Sequence, residues 1–176
     1  MCRKIVQCRV VIYKELTAEN IPDELLFGFR HYQVLREIGE VRQWSREKRL
    51  WIAGYLREQL LRGGAAEAAW EDGNLVGFGC VDGILRGESA RYANLTMLFV
   101  DDTRKRRGIG AALFRKICTH AVRMQADKLF VSAIPSADTL AFYRRMGCVE
   151  AKEIIAEYVD TEQDQFLEYA LTQMEK

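Results

Sequence analysis

Four basic residues and two glycines form the segment of this chain that is best suited to binding chemistry. Residues 104–107 are Arg-Lys-Arg-Arg, and Gly108-Ile109-Gly110 follows directly. Before them the apolar run Tyr92–Val100 predicts a buried strand, and periodic apolar residues from 108 to 124 predict a helix. A helix start presents unpaired backbone N–H groups and favours negative charge, and glycine lets a ligand approach the backbone. The segment therefore predicts a site for an anion such as a phosphate.

Two common phosphate-binding motifs do not match this segment. A P-loop requires GxxxxGK[ST], which the chain lacks. The dinucleotide fingerprint GxGxxG requires a third glycine, whereas Leu113 stands at that position. We exclude both of these classes. A surface loop with solvated charges is the other interpretation of the basic run.

A second candidate for chemistry is Tyr143, within a predicted helix at 136–146. Ser136 is a suitable N-cap, and Gly147 is suited to the left-handed position after the last turn. A phenol with a pKa of about 10 can donate a proton to a leaving group. For an isolated tyrosine, packing in the core is the more common role, and the glycine loop about 35 residues upstream is what favours chemistry here.

The rest of the sequence predicts the elements that hold these two segments. The chain begins with a predicted strand at 4–13, in which Val6, Cys8, Val10 and Ile12 share one face. A helical region from Pro22 to Ile38 and a helix from Ser45 to the Gly63-Gly64 pair follow, and then a hairpin at 68–85 turns at Asp72-Gly73. After the helix at 108–124, strands are predicted at 128–134, near 148–158 and at 166–171. Hairpins combined with one βαβ unit predict an α/β (α+β) fold.

Composition limits the class of protein. The 176 residues carry a net charge of +1 and are 49% apolar, which predicts one globular domain over residues 1–176 without nucleic-acid or membrane binding. Five scattered cysteines without CxxC spacing predict free thiols and no metal site. Neither a secretory leader nor an apolar run of about 18 residues is apparent, so we expect a cytoplasmic protein.

Both candidate segments resemble motifs of the GNAT (GCN5-related N-acetyltransferase) superfamily. Residues 105–110 resemble the pattern (Gln/Arg)-x-x-Gly-x-(Gly/Ala), with Lys105 in place of glutamine or arginine. Residues 136–148 resemble Asn-x-x-Ala-x-x-(hydrophobic)-Tyr-x-x-x-Gly-Phe, with Ser136 replacing asparagine and Cys148 replacing phenylalanine. Segments near Trp44 and at 162–169 are similar to an uncharacterised bacterial subgroup of the family.

The resemblance implies a fold and a set of site residues. The fold would have a mixed, mostly antiparallel central sheet of six to seven strands flanked by about four helices. Acetyl-CoA would be the co-substrate, no metal would be needed, and Tyr143 would face the sulfur and protonate the leaving thiolate. The implied cofactor contacts are Leu98, Phe99 and Val100 for the pantetheine arm, Lys105, Arg106, Arg107, Gly108, Ile109, Gly110 and Ala111 for the pyrophosphate, and Ser136 for the CoA arm.

The implied reaction is acetyl transfer to a primary amine by direct attack in a ternary complex. The acceptor would be a small molecule or a peptide, and whether acetyl or a longer acyl group moves stays open, as does a homodimer. No general base is assigned; the carboxylates nearest by rough position, each expected to be a surface charge, are Glu71, Asp82, Glu88, Glu153 and Glu157. A catalytically silent CoA-binding regulatory domain is the alternative, and a nucleic-acid-binding protein using the basic run is disfavoured by the near-neutral chain.

Overall fold

The computed structural model describes residues 10–35 and 40–172. The strands within them are β1 (Val11–Leu16), β2 (Tyr32–Leu35), β3 (Glu40–Gln43), β4 (Ala65–Glu71), β5 (Asn74–Val81), β6 (Tyr92–Val100), β7 (Lys128–Ala133), β8 (Val149–Glu150) and β9 (Gln165–Ala170). The α-helices are α1 (Arg46–Leu61), α2 (Ile109–Arg123) and α3 (Ala137–Arg145).

Seven strands form one central sheet in the order β1-β4-β5-β6-β7-β9-β8, and β2 pairs with β3 in a separate hairpin. Every neighbouring pair in the sheet is antiparallel except β6 and β7. Helix α2 covers one face through Leu113 and Ile117, and α1 covers the other through Ile52 and Leu56. The predicted mixed, mostly antiparallel sheet of six to seven strands is confirmed.

Local signals placed several elements correctly. Ser45 accepts a hydrogen bond from the Lys48 N–H and caps α1, whose end is followed by Gly63 at a φ of +88°. Asp72 and Gly73 both have positive φ, at 51° and 78°, as a two-residue hairpin turn between β4 and β5 requires. These signals depend only on residues that are close in the sequence, so the sequence alone predicts them.

The helix predicted from Pro22 to Ile38 is wrong. Turns occupy residues 23–28, and β2 follows at Tyr32–Leu35. The buried Arg49 guanidinium of α1 donates to the carbonyl oxygens of Leu26 and Phe29, which a regular helix would use internally. A tertiary contact therefore replaces the local helical pattern, and the described residues contain three α-helices where about four were expected.

The first strand was predicted with its faces reversed. Residues 4–9 lie outside the described part of the chain, and β1 begins at Val11. Val10 and Ile12, predicted to be inward, are 69% and 53% exposed, whereas Val11 and Tyr13 pack near α2. Near the C-terminus, the strand expected around 148–158 is limited to β8, and a short 3-10 helix occupies Ala156–Tyr158.

The central sheet opens between β6 and β7. These strands pair only at Tyr92–Asn94, opposite residues 128–130. Beyond that point β6 stays paired with β5 as far as Val100, while β7 stays paired with β9 as far as Ala133. Each strand thus follows its antiparallel neighbour, and a wedge-shaped opening forms between them. It is the part of the fold that brings the candidate residues together.

Candidate functional site

The β6 edge of the opening presents backbone groups to a ligand. Asp101 N–H donates to the carbonyl oxygen of Val76 at 2.9 Å, which fixes the alternation of the β5–β6 ladder. Leu98 and Val100 therefore direct their N–H and C=O groups away from β5, toward the opening. Phe99 differs from them, because its backbone groups point toward β5. An extended ligand could bind to this edge as an added strand would.

The loop after β6 has the conformation of an anion site. Arg106 and Gly108 have positive φ values of 63° and 81°, and Gly108 is the N-cap of α2. The first bond of the helix runs from Ala112 N–H to the Gly108 carbonyl oxygen at 3.0 Å. The N–H groups of the three residues between them, Ile109, Gly110 and Ala111, therefore have no acceptor within the helix. They are free to bind an anion.

The two glycines of this loop are needed for different reasons. A side chain at Gly108 would meet nothing within 4 Å, so its positive φ is what favours glycine there. At Gly110, an added Cβ would lie 3.3 Å from Phe142 Cε2 and 3.4 Å from Val100 Cγ2. Gly110 therefore allows α3 to pack closely against the loop.

Two acids neutralise half of the positive charge in the basic run. Glu71 accepts hydrogen bonds from Arg107 at 2.6 Å and from Arg104 Nε at 2.5 Å, and Lys105 pairs with Asp102. Hydrogen bonds from these two arginines hold the pKa of Glu71 below its usual range. Glu71 is only 2% exposed, so the expectation that it is a surface charge is wrong. It fixes the loop to the end of β4.

Tyr143 lies on the α2 face, in the last turns of α3. It is 8% exposed and packs edge-on against Phe114 and Phe142, with ring centres 6.2 and 5.1 Å away. Burial raises the pKa of its phenol, so the hydroxyl is protonated at neutral pH. Ser136 caps α3: its Oγ accepts from Thr139 N–H at 3.2 Å and donates to Thr139 Oγ1 at 2.8 Å.

The cysteines of the described residues are buried and unreactive. Cys80, Cys118 and Cys148 are free thiols, and burial raises the pKa of each to about 12. A thiol with that pKa stays protonated at neutral pH and is a poor nucleophile. Cys148, which stands where the family pattern has phenylalanine, packs in the core.

Both histidines lie in packed surroundings. His120 of α2 is 5% exposed, and its Nε2 lies 3.0 Å from Glu67 Oε1. Among the described residues, Glu15, Glu67 and His120 form one group whose ligand atoms lie within 4.8 Å of one another. Lys116 Nζ, 3.7 Å from Glu67, already compensates this charge. His31 contacts the rings of Trp44 and Phe99, and burial lowers its pKa.

Four of the carboxylates considered as bases have partners. Glu153 accepts from the N–H groups of Glu88 and Ser89, Glu157 pairs with Arg86 at 3.1 Å, and Asp82 accepts from Ile84 N–H. Together with Glu71, these acids serve local structure.

Sequence reasoning missed the residues on the α1 side of the opening. Thr96 of β6, Tyr55 of α1 and Ser132 of β7 surround this side, together with Asp160 from the segment before β9. Asp160 is exposed, yet partial desolvation and nearby Asp164 raise its pKa, while Lys48 lowers it. No motif connects these residues along the chain, so only the folded structure could reveal the group.

Comparison with known proteins agrees with this architecture. In the part of the chain that the structure describes, no helix has both the length and the apolar character needed to cross a membrane. No curated protein matches the sequence. The sequence profile described as the acetyltransferase (GNAT) family matches residues 29–148.

Solved structures share the fold at low sequence identity. A GNAT-family acetyltransferase from Staphylococcus aureus Mu50 has a TM-score of 0.68 and 19% identity, covering 92% of this chain and 99% of that one. The PaiA N-acetyltransferase from Thermoplasma acidophilum, in complex with coenzyme A, has a TM-score of 0.62 and 14% identity over 92% and 99%. An aminoglycoside acetyltransferase from an uncultured soil metagenomic sample has a TM-score of 0.60 and 20% identity over 83% and 95%. The match to the family profile over residues 29–148, together with the shared fold, shows that this chain belongs to the acetyltransferase (GNAT) family.

Proposed function

We propose that the protein transfers the acetyl group of acetyl-CoA to a primary amine, by direct attack in a ternary complex. The observation that carries this proposal is the opening between β6 and β7, which has free backbone groups at its edge and the Gly108 loop at one end. The family uses acetyl-CoA as its acyl donor. The opening and the loop have the features that an extended arm ending in a pyrophosphate requires.

The donor is held mainly by backbone groups. The pantetheine arm lies along the β6 edge at Leu98 and Val100, and the pyrophosphate binds the free N–H groups from Ile109 to Ala111. Arg106 has no ion-pair partner among the described residues, so it can add its charge to this site. Phe99 and Ser136 contribute less, because the Phe99 side chain packs near Trp44 and Ser136 is used as a helix cap.

Tyr143 supplies the proton that the reaction needs. The amine nitrogen forms a bond to the thioester carbonyl carbon, the C–S bond breaks, and its electron pair leaves on sulfur. A thiolate beside buried aromatic rings is poorly solvated, as the raised pKa of neighbouring Cys148 illustrates. The Tyr143 hydroxyl, which has no hydrogen-bond partner among the described residues, is available to protonate it.

A Tyr143→Phe variant tests this role. It should lower kcat by about 100-fold or more and leave the acetyl-CoA dissociation constant within about twofold, because one proton donor is lost. The matched control is Tyr169→Phe, since Tyr169 is equally buried and also packs against Phe114. Thiol release and calorimetry provide the two measurements.

The outcomes separate this mechanism from the alternative. Unchanged turnover in Tyr143→Phe would remove the tyrosine from the mechanism. Tight acetyl-CoA binding without acceptor-dependent thiol release in the wild type would favour the catalytically silent CoA-binding domain.

A further inference from the structure

The α1 side of the opening begins at a bulge in β6. Val81 pairs with Leu95 and Cys80 with Met97, so Thr96 is an extra residue between them. This bulge lies just past Asn94, the last residue of β6 that pairs with β7. The Thr96 hydroxyl interacts with the Tyr55 hydroxyl of α1. The side chains at the bulge thus face the start of the opening.

The Ser132 hydroxyl group of β7 fixes the acidic segment 160–164. The backbone N–H of Asp160 donates to Ser132 Oγ at 3.2 Å, and Ser132 Oγ donates to Asp164 Oδ2 at 2.8 Å. Asp164 Oδ1 accepts from Thr161 Oγ1 at 2.9 Å. Asp164 is therefore fully engaged. The Asp160 carboxylate, in contrast, has neither a hydrogen bond nor an ion pair among the described residues.

The charges around Asp160 come from three elements. Lys48 and Tyr55 face it from α1, and Asp164 faces it from its own segment. Asp82, after β5, raises the pKa of Tyr55, as Asp160 also does. Asp160 is exposed to solvent, so the amine can reach it, and partial desolvation together with the second carboxylate raises its pKa.

An aromatic surface adjoins this carboxylate. Trp51 stacks on Tyr55 with ring centres 5.3 Å apart, and Trp51 is 51% exposed. Lys48 Nζ lies 3.9 Å from the Trp51 ring centre. Half of Trp51 nevertheless stays exposed, and this apolar surface can contact the skeleton of an amine.

We infer that Asp160 binds the ammonium group of the acceptor and accepts its proton, and that the acceptor is a primary alkylamine whose skeleton packs on Trp51. This inference rests on the acetyl transfer proposed above. The donor would occupy the edge of β6 and the α2 side of the opening, so an amine at Asp160 approaches the thioester from the α1 side. The two substrates would then meet in the gap between the strands.

Each proton that moves in this reaction has a donor and an acceptor. The ammonium gives one proton to the Asp160 carboxylate, and the neutral nitrogen attacks the thioester carbon. The C–S bond breaks, and the thiolate takes the Tyr143 proton. The second proton of the nitrogen returns to the tyrosinate through water, and Asp160 releases its proton to solvent. One amide, one free thiol and one solvent proton result.

The test compares Asp160→Asn with Glu162→Gln, an exposed acid of the same segment. The probes are 2-phenylethylamine, n-hexylamine, spermidine and glutamate, each with acetyl-CoA between pH 6 and 9. We expect Asp160→Asn to lower kcat/KM for 2-phenylethylamine by about 100-fold at pH 7. Its acetyl-CoA dissociation constant should stay within about twofold of wild type, as the donor contacts are separate.

The pH profile distinguishes a proton acceptor from a structural residue. The wild type binds the ammonium form, so its kcat/KM should be flat from pH 7 to 9. Without Asp160 the rate should follow the free amine, rising about tenfold per pH unit below the amine pKa of about 10. A flat profile in Asp160→Asn with activity equal to that of Glu162→Gln would overturn the inference.

The remaining outcomes are also decisive. Preference for glutamate over 2-phenylethylamine and n-hexylamine would refute the alkylamine class. Preference for spermidine over both would refute the packing of an apolar skeleton on Trp51. If the wild type acetylates none of the four probes but acetylates a peptide or aminoglycoside amine, the alkylamine acceptor is refuted and the proposed amine acetylation stands. If it acetylates none of these, both are refuted. If Asp160→Asn leaves turnover unchanged, only the role of Asp160 is refuted, and the proposed acetyl transfer stands.

Discussion

Replacing Gly108 with alanine isolates the role of the backbone in anion binding. Gly108 has a φ of +81°, and an added Cβ would meet nothing within 4 Å. The substitution therefore introduces conformational strain without a clash. A non-glycine residue in the left-handed region costs about 1–2 kcal/mol. If the free loop relaxes, this cost appears in binding and weakens acetyl-CoA affinity by about 5- to 30-fold.

Three further variants separate strain at the site from strain elsewhere. Gly63→Ala is the matched control, because Gly63 also has positive φ, at +88°, and open space around it, but it follows α1. It should destabilise the fold by about 1–2 kcal/mol and leave acetyl-CoA affinity unchanged. Gly108→Val should weaken binding more than alanine, since a β-branched residue tolerates positive φ least. Gly110→Ala should also weaken it, because its Cβ would press on Phe142.

The assays are calorimetric titration with acetyl-CoA and urea unfolding of each variant. The Gly108 variants should lose less stability than Gly63→Ala, because their strain is relieved in the free protein, and only the Gly108 variants should lose affinity. Wild-type affinity in both Gly108→Ala and Gly108→Val would show that the pyrophosphate does not bind the backbone of this loop.

Two predictions concern the fold around the site. Arginine holds the pKa of Glu71 below its usual value, so Glu71 contributes stability above its unfolded pKa of about 4.3, and this contribution is lost as pH falls through the lowered pKa. The urea midpoint of Glu71→Gln should therefore lie below that of wild type at pH 6, and the difference should shrink toward pH 3; a constant difference would contradict this linkage. Arg49→Leu should reduce the free energy of unfolding by about 2–4 kcal/mol, because the carbonyl groups that Arg49 binds become unsatisfied. Equilibrium urea unfolding measures this, and a loss below about 0.5 kcal/mol would show that water replaces the guanidinium.

The sequence by itself determined the features that depend on neighbours within a few residues. The hairpin turn at Asp72-Gly73, the Ser45 cap of α1 and the helix around Tyr143 all follow from backbone preferences and capping. The anion loop is of the same kind, since the positive φ of Gly108 and the free N–H groups belong to one helix start. The anion loop and the helix around Tyr143 also carried the family resemblance that the comparison confirmed.

Tertiary structure alone decided how those features are used. The split between β6 and β7 arises because each strand follows a different antiparallel neighbour, which no local pattern records. Because Arg49 binds the Leu26 carbonyl group, turns and a hairpin form where a helix was predicted. Glu71 neutralises Arg104 and Arg107, which stand more than 30 positions away in the sequence. Asp160 and Thr96 share one side of the opening although 64 residues separate them. Long-range pairing sets these relations, because burial and charge compensation act through space and not along the chain.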